Sequence, residues 1–141
     1  MVEIVQTAKG DLELSAGGVQ DVGFLPVTVS YNPSSNATQV FLVADRAYRV
    51  KSIVGRVQAA GTGGAATATV YKAPSGTAIA SGTALHSGTF NFVGTASTNQ
   101  TLTLSTTDAD LNIAQGDTIG VILTGTLTTA TGGITVALTP R

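Results

Sequence analysis

Few residues in this 141-residue chain are of a type that does chemistry, and their spacing limits what they can do. His86 is the single histidine, with Ser81 and Ser87 close by. Joined to a distant aspartate, they would make a nucleophilic triad. That chemistry needs a strained, exposed serine and an oxyanion hole, and the chain has no Gly-x-Ser-x-Gly sequence. His86 sits in a Gly- and Ser-rich stretch and is expected to be a loop residue. Asp108 and Asp110, with Asn112 after them, resemble the opening of a calcium loop. No glutamate follows to close it, so no metal is expected. A glycosidase needs two carboxylates around a cleft, usually with aromatic platforms, and aromatics are only 5% with no tryptophan. Gly61-Thr62-Gly63-Gly64 lacks the following Lys-Ser/Thr and the helix that a phosphate cradle requires. The absence of cysteine removes disulfide scaffolds, zinc fingers and thiol nucleophiles. The chain is expected not to be an enzyme and to use no cofactor.

The remaining charged feature is basic. Arg46, Arg49, Lys51, Arg56 and Lys72 hold five of the seven cations within 27 residues. Between Lys72 and Asp108 there is no formal charge, and then Asp108, Asp110 and Asp117 come close together. The five cations read either as a solvated strand face or as a strip that meets an acidic partner surface. They are the candidate partner-binding residues. The net charge of -1 lacks the basic excess of a protein that grips nucleic-acid phosphates, so no nucleic-acid partner is expected. No apolar run approaches the length of a membrane span. The first ten residues contain Glu3 and Lys9 and no apolar core, unlike a secretory signal, which suggests synthesis in a cytosol.

The elements that must position these groups show period two. In the stretch 24–31, Leu25, Val27, Val29 and Tyr31 alternate with smaller or polar residues, the pattern of a half-buried strand. Residues 39–44 form a nearly continuous apolar run, which predicts a strand covered on both faces. The stretch 47–59 alternates, but its apolar face changes near Ser52 and Ile53. A β-bulge there would bring Arg49, Lys51 and Arg56 onto one face. Further strands are expected at 67–72, 89–93, 100–105, around Leu111 and Ile113, at 118–124, and at Ile134, Val136 and Leu138. Tight turns are expected at 73–76 and 115–117. No window carries helical spacing. The fold class is therefore all-β, an antiparallel β-sandwich of jelly-roll or related type with eight or nine short strands and essentially no helix.

Residues 24–141 read as one sandwich domain. Residues 1–23 differ, with Glu3, Asp11, Glu13 and Asp21 against Lys9 alone and Gly17-Gly18 in the middle. They form either an edge hairpin of the sandwich or an arm that pairs with another subunit. Charged residues are 11% of the chain, against about 25% in an ordinary domain. Threonine, with 23 copies, supplies much of the polar surface instead. Weak charge repulsion favours association, so a homo-oligomer is expected, a dimer ahead of a trimer.

Three stretches carry a resemblance: Val43-Ala44-Asp45-Arg46-Ala47-Tyr48-Arg49-Val50, Val70-Tyr71-Lys72-Ala73-Pro74-Ser75-Gly76, and Leu102 through Asp117 with its Thr-Thr-Asp-Ala-Asp-Leu and Gln-Gly-Asp turns. Over roughly residues 38–139 the chain resembles capsid cement or decoration proteins of tailed bacteriophages. The resemblance implies a β-sandwich on the outer surface of an icosahedral head, bridging major capsid proteins, with no catalytic residues. The alternative is a carbohydrate- or receptor-binding module of a tail fibre or surface protein, which calls for exposed aromatic platforms. Only Tyr31, Tyr48 and Tyr71 are present for that, with no tryptophan.

Overall fold

The structure is a computed structural model and describes residues 3–6, 12–15, 25–31 and 38–141. Its strands are β1 (Glu3–Gln6), β2 (Leu12–Ser15), β3 (Leu25–Tyr31), β4 (Gln39–Val43), β5 (Tyr48–Ala59), β6 (Ala66–Ala73), β7 (Thr83–Ala84), β8 (Phe90–Asn91), β9 (Thr98–Thr101), β10 (Asn112–Ile113), β11 (Thr118–Gly125) and β12 (Thr131–Pro140). Short 3-10 turns occupy Ile79–Ser81 and Asp108–Leu111.

One antiparallel sheet runs β10-β5-β12-β3, with β9 also on β5. The second runs β4-β11-β6-β7, with β8 also on β6. Thus β3 lies beside β12, β4 beside β11, β5 beside β10 and β6 beside β7. A single antiparallel ribbon, folded back on itself and wrapped into two layers, has this connectivity: it is a jelly roll. β1 and β2 form a separate hairpin, pairing Glu3 with Ser15 and Gln6 with Leu12. Among the described residues neither strand is bonded into either sheet of the sandwich.

The alternating apolar residues meet between the sheets. Val50, Ile53 and Val57 of β5 and Ile134, Val136 and Leu138 of β12 face Ala68 and Val70 of β6 and Ile119, Val121 and Leu123 of β11, all fully buried. Phe90 and Phe92 fill the space beside β6. Outward positions carry hydroxyls, as where Thr28 and Thr135 sit opposite each other and share a 2.8 Å hydrogen bond. Threonine suits this place because its branched Cβ fits a pleated strand while its hydroxyl faces water.

The change of face in β5 is a bulge. Leu138 lies opposite Val50 and Ala137 opposite Ser52, so Lys51 has no partner on β12. The extra residue returns Ile53, Gly55 and Val57 to the inside, where Tyr48 and Val50 already point.

Several local expectations are corrected. β4 is not covered on both faces. It is an edge strand paired only with β11, and Val40 and Val43 are exposed. An apolar run reports what a strand is able to bury, not whether a neighbour lies beyond it. The turn after β6 falls one residue later than expected, closed by Thr77 N–H to Pro74 C=O with Gly76 at φ +84°. The strand expected at 89–93 shrinks to two residues, and that at 100–105 moves back to Thr98–Thr101. The segment around Leu111 begins as a 3-10 turn before β10. The turn at 115–117 is present, with Asp117 accepting a 2.8 Å bond from Ala114 N–H.

Candidate functional surface

The five cations lie on three elements. Arg49, Lys51 and Arg56 are on the outer side of β5, where the bulge aligns them over about 20 Å at roughly 3.3 Å per residue. Arg46 is in the turn between β4 and β5, and Lys72 is on β6 in the other sheet. The fold aligns three of the five on one strand face, brings Lys72 to the same 108–112 segment that Arg49 meets, and leaves Arg46 in its turn.

Their partners divide them further. The Arg49 guanidinium is paired with the Asp108 carboxylate, and its Nη1 donates to Asn112 Oδ1 at 3.3 Å. Asn112 is the residue directly opposite Arg49 on β10. Arg49 holds the Asp108 carboxyl below its usual range. Arg46 contacts Asp45 at 3.4 Å. Asp45 also accepts a bond from the buried Tyr48 hydroxyl, the main reason its carboxyl is held low. Lys72 reaches across the end of the sandwich to Ala109 C=O at 2.7 Å and Asn112 C=O at 2.6 Å. Arg56 donates to Asn99 Oδ1 at 3.1 Å and to Gln58 Oε1 at 3.3 Å, and Asn99 lies opposite it on β9. Lys51 is exposed and has no side-chain hydrogen bond to another described residue. Arg46, Arg49 and Lys72 therefore have structural partners. Lys51 and Arg56 lie on the outer face, Arg56 while bonded to Asn99 and Gln58. Register-matched Arg–Asn pairs were not visible in the sequence, because register is not a local property.

The groups with catalytic potential match the sequence expectation only in part. His86 lies between β7 and β8, outside the named strands as expected, in an isolated bridge with Leu104, but it is buried at 5% exposure. Its Nε2 accepts a 2.9 Å bond from Val70 N–H, and its Nδ1 faces Ser87 C=O at 3.4 Å. The Ser87 hydroxyl bonds Thr103 C=O instead. Leu85 N–H donates to Val70 C=O just after β7. β7 and β8 both pair with β6 but leave a gap between them at Val70, and the imidazole fills that gap in the ladder. Burial pushes the imidazole pKa below its ordinary value.

Asp110 accepts a 2.6 Å bond from the Ser105 hydroxyl, while Asp108 is paired with Arg49. Among the described residues no group of three or more His, Cys, Asp or Glu is placed to hold a metal. In the glycine loop, Gly61 N–H goes to Phe92 C=O and Thr62 N–H to Thr128 C=O, so these donors serve the fold. Tyr48 is buried and Tyr71 half-buried; the side chain of Tyr31 lies outside the described set. Among the described residues no helix is long and apolar enough to cross a membrane.

No family model and no curated protein matches the chain. Among solved structures, a chain from the structure of infectious bursal disease virus Gx strain is similar at 11% identity and a TM-score of 0.38. The match covers 95% of this chain and 36% of that one, so this chain spans about a third of the length of the chain it matches.

Proposed function

We propose that this chain is a structural protein of a virus particle. It binds the outer surface of an icosahedral phage head and stabilises it by bridging neighbouring copies of the major capsid protein. The observation that carries this reading is the use made of polar residues. His86, Arg49, Asp108, Asp110 and Lys72 are each bound to another part of the same sandwich. What remains outside is largely threonine, serine and alanine with few charges. Such a surface opposes close packing against a protein shell only weakly. The resemblance of residues 38–139 to phage cement and decoration proteins supports the same role.

The mechanism is linkage. A protein that binds the expanded shell and not its precursor shifts the equilibrium toward the expanded state by its differential affinity. Repetition over symmetric sites adds avidity. In this reading Lys51 and Arg56 meet acidic groups of the shell, which guides docking and register.

Expanded heads assembled without this protein provide the test. The double variant Lys51→Glu, Arg56→Glu is expected to bind them more weakly at low salt, by a few kcal/mol at most, because exposed charge pairs contribute about 0.2–1 kcal/mol each. The deficit should shrink as salt rises, since exposed charges are screened over about 8 Å at physiological ionic strength. Equal binding by the two proteins at low salt would show that the strip faces solvent. Failure of the unaltered protein to bind at all would overturn the reading as a whole.

A further inference from the structure

The two flanks of the sandwich are finished differently. On the flank of β7 to β10 the strands are short, and side chains close over them. Lys72 holds the carbonyls of Ala109 and Asn112, Arg49 holds Asp108, and the Gln100 side chain both donates to Asn91 C=O at 2.7 Å and accepts from Asn91 N–H at 3.0 Å. On the other flank β3 and β4 are longer and each pairs on one side only. Neither contains a charged residue. Among the described residues, three of the four exposed large hydrophobic ones lie on them: Leu25 at 41%, Val40 at 55% and Val43 at 62% exposure.

Natural edge strands are guarded by charge, proline, bulges or cover, because an open apolar edge is a template for another strand. β3 has one guard, Pro26, which removes a donor. β4 has a bulge at Phe41, which lies between the Leu42–Ile119 and Val40–Gly120 pairs, and no charge or proline. Each edge thus has a single guard, and β4 carries the two most exposed of these apolar residues.

The chain also carries a segment that lacks a third strand. The β1–β2 hairpin pairs only with itself among the described residues, and a lone two-stranded hairpin is marginally stable in water. Its strands have four residues each, and β4 has five. The nine residues between Ser15 and Leu25 reach up to about 30 Å when extended. Charge favours the encounter. Residues 1–23 hold four acids and one lysine, a net of -3, so with -1 overall the remaining 118 residues carry +2.

We propose that the β4 edge receives the N-terminal hairpin of a second copy of this chain, which extends the β4 sheet. Mutual exchange of hairpins closes a two-fold dimer and leaves neither β4 edge open.

Sedimentation velocity of the purified full chain over a wide concentration range, without capsid, tests this separately from head binding. The unaltered protein is expected to dimerise. Val40→Lys, and independently Val43→Lys, should weaken dimerisation about tenfold or more by placing charge on the edge, with the melting temperature nearly unchanged at these exposed positions. Deletion of residues 2–17 should give a folded monomer. Because the chain has no cysteine, a mixture of Ser15→Cys and Val40→Cys chains treated with a short bis-maleimide should give the mixed crosslinked dimer. A monomer at all concentrations, a dimer that survives the deletion, or an intramolecular crosslink in the Ser15→Cys, Val40→Cys double variant in place of the mixed dimer would each overturn the proposal. The crosslink decides the matter if the deleted chain does not fold.

Discussion

Replacing His86 with alanine is expected to lower stability by about 3 kcal/mol, read as a shift of the urea midpoint. The change orphans a buried donor, Val70 N–H, which costs about 1–3 kcal/mol, and it also removes ring volume from the core. The ring meets Phe90 edge-on at 6.0 Å, so the lost volume lies against the largest side chains of the interior. His86→Leu restores volume without an acceptor and should recover only the packing part. His86→Gln places an oxygen near the position of Nε2 and should recover more. If leucine and glutamine performed alike, the hydrogen bond to Val70 would have no net value.

The same residue sets a pH dependence. Nε2 accepts from Val70 N–H, so a proton on Nε2 would face a donor. Burial of the ring disfavours its charged form, and the folded pKa lies below the ordinary value of 6.5. Below pH 6.5 the unfolded chain binds a proton that the folded chain refuses. Stability is complete above that pH and declines as pH falls toward the folded pKa, by up to about 1.4 kcal/mol per pH unit. His86 is the only histidine, so His86→Gln should flatten the profile between pH 7.5 and 5. The depressed carboxyls of Asp45 and Asp108 act lower, as pH falls through and below 3.8. A wild-type profile that stays flat from pH 7.5 to 5 would contradict a buried, neutral His86.

The second large effect is expected at Gly55. A Cβ built on this residue would lie 2.5 Å from Cε1 and 2.7 Å from Cδ1 of Phe90. Phe90 belongs to β8 and Gly55 to β5, so the missing side chain is what lets the two sheets close over the ring. Phe90 is 1% exposed and belongs to the core cluster. Gly55→Ala should cost about 1–3 kcal/mol by overpacking, with Gly55→Val at or above the upper end. At roughly 2–4 °C per kcal/mol for a domain of this size, the alanine variant should melt up to about 10 °C lower. Phe90→Leu is destabilising alone, but combined with Gly55→Ala it should cost less than the sum of the two. That coupling is the sign of a shared space. Strict additivity would mean that the ring and the glycine do not compete for it.

Much of the architecture was legible along the chain. Alternation of Leu25, Val27 and Val29, of Ile119, Val121 and Leu123, and of Ile134, Val136 and Leu138 marks strands because side chains repeat every two residues on a pleated backbone. The change of face at Ser52 and Ile53 marks the β5 bulge for the same reason: one extra residue inverts the alternation. The all-β class, the sandwich and the near absence of helix follow from such patterns alone.

What the tertiary structure decided is who stands beside whom. The apolar run of β4 was expected to be enclosed, yet it lies at an edge, because enclosure depends on a strand that another part of the chain either supplies or does not. His86, in a stretch rich in glycine and serine, was expected in a loop, and it does lie between β7 and β8 outside the named strands, but its burial was not foreseen. It is buried because β6 has a gap at Val70, 16 residues earlier, that only a side-chain acceptor fills. The candidate cations were grouped by sequence proximity. Asp108, 59 residues from Arg49, and the carbonyls of Ala109 and Asn112, 37 and 40 residues from Lys72, separate those two from the exposed Lys51. Alternation is a property of neighbouring residues and is written in the chain. Pairing, register and the closing of one sheet on another depend on contacts between distant residues, and only the folded backbone brings those together.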